Sequence, residues 1–109
     1  MIKVSLLYPN SDSSQFDMDY YCNRHIPMLL KKLGRACRRV AVEEGLVVGS
    51  AGSMPAFVAI GHLYFRSVKA FQTAFYPHEA TIMADLPNYT NVRPTIQISA
   101  VKIQRTRTA

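Results

Sequence analysis

The sequence predicts an α+β domain in which two helical segments cover one side of an antiparallel four-stranded sheet. Three observations lead there. Four segments have strand periodicity or β-branched character, at residues 2–8, 38–48, 57–65 and 95–103. Two others, residues 16–34 and the stretch after Ser67, repeat their apolar residues at helical spacing. The order is therefore strand, helix, strand, strand, helix, strand, and two right-handed crossovers around a hairpin close it into a ferredoxin-like βαββαβ sandwich. At 109 residues the chain makes one domain that can bury roughly two-thirds of its unfolded surface.

Each element has a local reason. Ile2 to Tyr8 alternates so that Ile2, Val4, Leu6 and Tyr8 share one face, and Pro9-Asn10-Ser11-Asp12 then turns the chain. In FDMDYYCNRHIPMLLKKLG, Asp17 is placed to cap a helix and Gly34 to end it in a left-handed conformation. At about 100° per residue, Met18, Tyr21, Cys22, His25, Ile26, Leu29 and Leu33 fall within an arc of roughly 140°. Two residues break the local rules. His25 stands in the middle of this apolar face, and Pro27 removes a helix hydrogen bond one turn after Asn23, which loosens or kinks the helix beside the histidine.

Val40, Val42 and Val47 make the second strand, where Glu43-Glu44-Gly45 marks a bulge or an edge, and Gly49 to Ser53 reads as a flexible loop. Phe57 to Phe65 is the strongest strand. Phe57, Ala59, Gly61, Leu63 and Phe65 point one way, and Val58, Ile60, His62 and Tyr64 the other. Ser67 caps the second helix, whose Val68, Phe71, Ala74 and Phe75 share a face until Pro77 interrupts it before a continuation from His78 to Ala84. Leu86-Pro87-Asn88-Tyr89 forms a loop. Thr95 to Ile103 is the last strand, with Ile96, Ile98 and Ala100 on one face and Gln97, Ser99 and Val101 on the other. The domain thus spans residues 1–104, and 105–109 are a flexible basic tail.

A composition of 49% hydrophobic and 18% charged residues is that of a globular protein. No apolar run approaches the ~20 residues of a membrane span. The two cysteines, Cys22 and Cys37, match no zinc, haem or redox spacing, and without a signal peptide they are expected as reduced thiols in the cytoplasm. The net charge of +6 gathers at Lys31, Lys32, Arg35, Arg38 and Arg39, either a phosphate-binding patch or cations complementing a helix C-terminus. A ferredoxin-like sheet has one uncovered face, and a third strand that is apolar on both parities asks for cover there. A homodimer through the open sheet face supplies it.

Taken together, Phe16-Asp17-Met18-Asp19-Tyr20-Tyr21 with His25-Ile26-Pro27, Gly61-His62-Leu63, Phe71-Gln72, Pro77-His78 through Ile82-Met83 to Pro87-Asn88-Tyr89-Thr90, and Gln97-Ile98-Ser99 resemble the EthD family, named for ethyl tert-butyl ether degradation, of the dimeric α+β barrel superfamily. The resemblance covers nearly all of residues 1–103. It implies a dimer whose two sheets close into a barrel, a small-molecule pocket between sheet and helices, and a place in bacterial catabolism of ethers or other small organic compounds. The family's own reaction is not established. Superfamily relatives include monooxygenases of aromatic polyketides, lactone isomerases and haem enzymes, and the helix His-x-Pro histidine of the lactone isomerases matches His25 in position.

The chemistry expected is that of a small-molecule enzyme without metal or organic cofactor. A neutral His25 is the candidate base for a proton on carbon next to a carbonyl or on a phenol. Tyr64 or His62, on one face of the third strand, is the candidate donor to the resulting oxyanion, and Tyr21, His78, Asp85 and Tyr89 are candidate substrate-binding residues. Each has a plainer alternative: His25 as a hydrogen-bonded core residue, His62 and Tyr64 facing a dimer partner, His78 capping a helix fragment, Asp85 as a surface charge. Three histidines without a Cys or Glu cluster at ligand spacing argue against a metal site, and nothing selects a haem ligand. A non-catalytic carrier or accessory protein to an oxygenase fits the same pocket. An RNA-recognition module shares the element order, but the Lys/Arg-Gly-Phe/Tyr-Gly/Ala opening before Phe57 is missing.

Overall fold

The inward residues of Ile2–Pro9 (β1) and Phe57–Phe65 (β3) make these two strands the centre of the sheet, with Arg39–Glu44 (β2) and Thr95–Ala100 (β4) at the edges. The order is β2-β3-β1-β4 and every pairing is antiparallel, the α+β, ferredoxin-like βαββαβ arrangement. A computed structural model describes residues 1–47 and 53–107. Apart from Ser53, the loop expected at Gly49 to Ser53 lies outside them, as do the last two residues of the tail. No helix among the described residues is long and apolar enough to cross a membrane.

Register decides which side chains face the helices. Leu6 stands opposite Gly61 and Ile96, and Val4 opposite Leu63 and Ile98, so this parity looks inward. Lys3, Ser5 and Leu7 look outward with Val58, Ile60, His62 and Tyr64. β3 spans the residues its alternation predicts. β4 ends at Ala100, three residues before the expected Ile103, because its partner runs out: Ile2 pairs with Ala100, and beyond it only the Val101 N–H still reaches the Met1 carbonyl, at 3.1 Å.

The first helical segment starts as expected, with the Asp17 carboxylate accepting from the Tyr20 N–H at 3.0 Å. It comprises Met18–Tyr20 (α1), a π-helical turn at Tyr21–His25, and Ile26–Leu33 (α2), and Gly34 ends it at φ +63°. Pro27 explains the wide turn. It has no N–H for the Asn23 carbonyl, and the Ile26 N–H reaches back to the Tyr21 carbonyl instead. In this turn the Tyr21 and His25 rings stack and Cys22 is exposed, a correction to the uniform helical arc. In the second helical segment, Ser67 accepts from the Ala70 N–H at 3.1 Å ahead of Val68–Phe75 (α3). The chain tightens at Tyr76–His78 around Pro77, continues as Glu79–Ala84 (α4), and tightens again at Leu86–Asn88 around Pro87.

Val4, Leu6, Leu63 and Phe65 of the sheet meet Leu29, Leu33, Phe71 and Phe75 of the helices in one core. Each such side chain contributes about 1.5–3 kcal/mol relative to remaining exposed. The described residues form a slab of 40 × 40 × 22 Å, the thickness of one sheet and one helical layer.

Gly61 is required by this packing. A Cβ there would collide with the Tyr21 hydroxyl, while the Tyr21 Cζ would lie 3.5 Å away, an ordinary contact. That hydroxyl is fully buried and has no hydrogen-bond partner among the described residues. Gly61→Ala should therefore cost about 1–3 kcal/mol in denaturant unfolding. In a Tyr21→Phe background the same substitution should cost little, and a penalty of equal size there would refute this account of Gly61.

Candidate functional site

The wide turn buries His25 to 2% exposure and stacks it on Tyr21, with ring centroids 5.4 Å apart and planes 14° apart. Tyr89 covers it from the loop after α4, at 4.6 Å. That loop is fastened to the start of the helix: the Asp17 N–H donates to the Tyr89 carbonyl at 2.7 Å, and Phe16 forms a β-bridge with Thr90. The same fastening brings Asp85, at the C-terminus of α4, against the histidine.

His25 Nδ1 lies 2.9 Å from Asp85 Oδ2. The other carboxylate oxygen, Oδ1, accepts from the Tyr20 hydroxyl and from the Asn88 amide, each at 2.8 Å. Partial burial raises the Asp85 pKa, but the hydrogen bonds from Asn88, His25 and Tyr20 together outweigh it and hold the group below the ordinary carboxylate value. Burial pushes the His25 pKa below its ordinary value, and the hydrogen bond and charge of Asp85 offset only part of that. The tautomer follows. An ionised Asp85 only accepts, so a neutral His25 carries its proton on Nδ1 and keeps a lone pair on Nε2.

His25 forms one wall of a cleft between sheet and helices, with Leu6, Tyr8, Leu29, Phe75, Ile82, Met83, Leu86, Tyr89 and Pro94 as the others. Its free volume is about 10 Å³, roughly one water molecule. None of these residues is an Asp, Glu, Lys or Arg. The Tyr8 and Tyr89 hydroxyls lie 2.9 Å apart. Burial is the chief cause that raises the pKa values of Tyr8, Tyr21 and Tyr89, so all three stay protonated, and the Tyr8–Tyr89 pair keeps one hydroxyl proton free to donate. The cleft therefore holds a base and hydroxyl donors in an apolar setting, the equipment for proton transfer with stabilisation of the anion formed.

Of the candidates from the sequence, His25, Tyr21, Asp85 and Tyr89 come together here. His62 and Tyr64 do not. Strand parity puts them on the open face, where His62 Nδ1 lies 2.9 Å from Ser5 Oγ and Nε2 lies 2.9 Å from Glu43 Oε1. Tyr64 there lies 5.4 Å beneath the Arg39 guanidinium. His78 lines a surface depression with Met28, Lys31 and Lys32. Tyr8, Tyr20 and Asn88 were not foreseen. Tyr8 read only as core, and Tyr20 fell outside the apolar arc. The described residues contain no cluster of three or more His, Cys, Asp or Glu able to hold a metal ion.

Residues 10–92 match the EthD domain. Among solved structures, an EthD-like protein from Ralstonia eutropha JMP134 is 43% identical, with 96% of this chain and 95% of that one covered and a TM-score of 0.92. An ethyl tert-butyl ether degradation family protein from Bacillus halodurans C-125 is 22% identical over 93% of this chain and 98% of that one, at a TM-score of 0.62. HapK from Hahella chejuensis is 10% identical over 100% and 99%, also at 0.62, and shares the fold. None of the curated proteins matches.

The two shifted groups set a pH dependence. His25 titrates lower in the folded chain than its unfolded value of 6.5, so below that pH the unfolded state binds more protons and stability falls. Asp85, lowered from 3.8, adds a second loss further into acid. The melting temperature should drop between pH 7 and 5, and His25→Gln should flatten that slope. An unchanged slope would mean that other groups cause the drop.

Proposed function

Because the chain belongs to the EthD family, we propose that it is a small-molecule enzyme, independent of metal or organic cofactor, serving bacterial breakdown of ethers or other small organic compounds. One observation carries this reading: a buried histidine whose Nδ1 lies 2.9 Å from Asp85 Oδ2 and whose ring is one wall of an apolar cleft. In the proposed step Nε2 removes a proton from carbon next to a carbonyl, or from a phenol. Whichever of the Tyr8 and Tyr89 hydroxyls does not donate to the other hydrogen-bonds to the oxyanion so formed, and Asp85 stabilises the imidazolium. The conjugate acid can return the proton elsewhere on the substrate, as in an isomerase, or the anion can react with dioxygen, as in a cofactor-free monooxygenase. Tyr20 and Asn88 act through Asp85 as positioning residues. His62, Tyr64 and His78 have no part in this step.

The experiment is proton NMR of small ketones and phenols in D2O with the protein, following deuterium exchange at the activated carbon. His25→Asn should slow exchange about 10²–10⁴-fold while the circular dichroism spectrum stays that of the wild type. If His25→Asn alters only ligand affinity, and neither protein accelerates exchange, the chain is a carrier.

We also propose the homodimer through the open sheet face, supported by the half-buried Leu7, Val58, Ile60 and Tyr64 on one side of a 22 Å slab. Light scattering should give twice the chain mass of 12.3 kDa, and Ile60→Lys should reduce it to the monomer. A monomeric wild type would refute the dimer and leave the cleft chemistry untouched.

A further inference from the structure

β4 carries two isoleucines on the helix side of the sheet that the helices leave largely uncovered. Ile96 stands opposite Leu6 and Ile98 opposite Val4, and opposed residues of an antiparallel pair share a face. Yet Ile96 is 45% and Ile98 42% exposed, against 8% for Leu6 and 1% for Val4. Leu6 and Pro94 are also walls of the cleft. The apolar wall therefore continues out of the cleft, past Leu6, onto the surface of β4.

The free volume inside, about 10 Å³, is too small for an organic ligand of any size. A ligand must displace side chains of the wall, place its bulk outside, or do both. Resting on the reading of the cleft as a ligand site, we propose that Ile96 and Ile98 form a ledge for the apolar body of the ligand, while its polar oxygen lies at the Tyr8, Tyr89 and His25 end. The ligand class is a neutral molecule with one oxygen-bearing head and an apolar body several carbons long. No charged residue lines the cleft, so an anionic head has no counter-ion to meet there. The ledge determines specificity and takes no part in the chemistry.

The test is isothermal titration of the full chain with phenol and with 4-hexylphenol, two probes that differ only in the apolar body. 4-Hexylphenol should bind about tenfold or more tightly than phenol, since each methylene laid on an apolar surface adds affinity. In the double variant Ile96→Thr/Ile98→Thr, which keeps β-branched residues in the strand, that ratio should shrink to about twofold. Equal affinities for the two phenols, no binding of 4-hexylphenol up to its solubility limit, or an undiminished ratio in the double variant would overturn the ledge. So would conversion of a dimer to a monomer by the double variant in light scattering, which would assign these residues to a second copy of the chain. The ratio is read from binding alone. Absent turnover leaves it standing, and an absent ratio beside measured turnover refutes the ledge and spares the chemistry.

Discussion

Pro27 has no N–H to offer the Asn23 carbonyl, and much of the interior follows from how the helix absorbs that loss. An undisturbed α-helix would separate Tyr21 and His25 by about 40° around its axis, given 3.6 residues per turn. The π-helical turn carries His25 to the other side of Tyr21 instead, and in it the two rings stack with planes 14° apart. Both can then point under the loop that carries Asp85 and Tyr89. Tyr21 in turn needs the missing side chain of Gly61, which ties the wide turn in the helix to one position on the central strand.

Burying a histidine among aromatic rings favours its neutral form, and a carboxylate 2.9 Å away favours the charged one. Burial wins, and the pKa falls. The outcome depends on how Asp85 is shared. Its Oδ1 is occupied by Tyr20 and Asn88, which stabilises the carboxylate without help from His25, so the ion persists while the histidine is neutral. A carboxylate that needed the imidazolium as its only partner would pull the histidine towards the charged state. The division of labour between the two oxygens leaves Nε2 unprotonated and the proton on Nδ1.

Local chemistry was legible in the sequence; pairings across the chain were not. The Asp17 and Ser67 caps, the Gly34 stop, the loosening at Pro27 and both ends of β3 follow from nearest-neighbour rules, and the structure has them. Periodicity cannot know that β1 begins at Ile2, so it ran β4 on to Ile103. A uniform helical angle likewise places Cys22 inside, where the structure has it exposed. His25 stood out as a rule-breaker on an apolar face, but the partner that gives it a defined tautomer lies sixty positions on. Helical periodicity turns Tyr20 away from the core, and its hydroxyl donates instead to the carboxylate that holds the histidine. His62 and Tyr64 needed only the parity of β3, which alternation on both faces could not supply.

That parity separates two arrangements built from the same groups. His25 with Asp85 and His62 with Glu43 are both imidazole–carboxylate pairs at 2.9 Å. The first lies beneath a helix with side chains 3% and 17% exposed, whereas Glu43 is 59% exposed. Solvent screens an exposed pair and leaves it little energy of its own, while a dry site makes each hydrogen bond and charge count for more. The inward face of the sheet is therefore where a hydrogen bond or charge counts for most, and on the bare outward face solvent competes for both. A second copy seated on the outward face would change this by drying Ser5, His62 and Glu43 together. Their three-way hydrogen bonding already satisfies the imidazole on both nitrogens, which is the condition under which a polar group can be covered without being left unpaired.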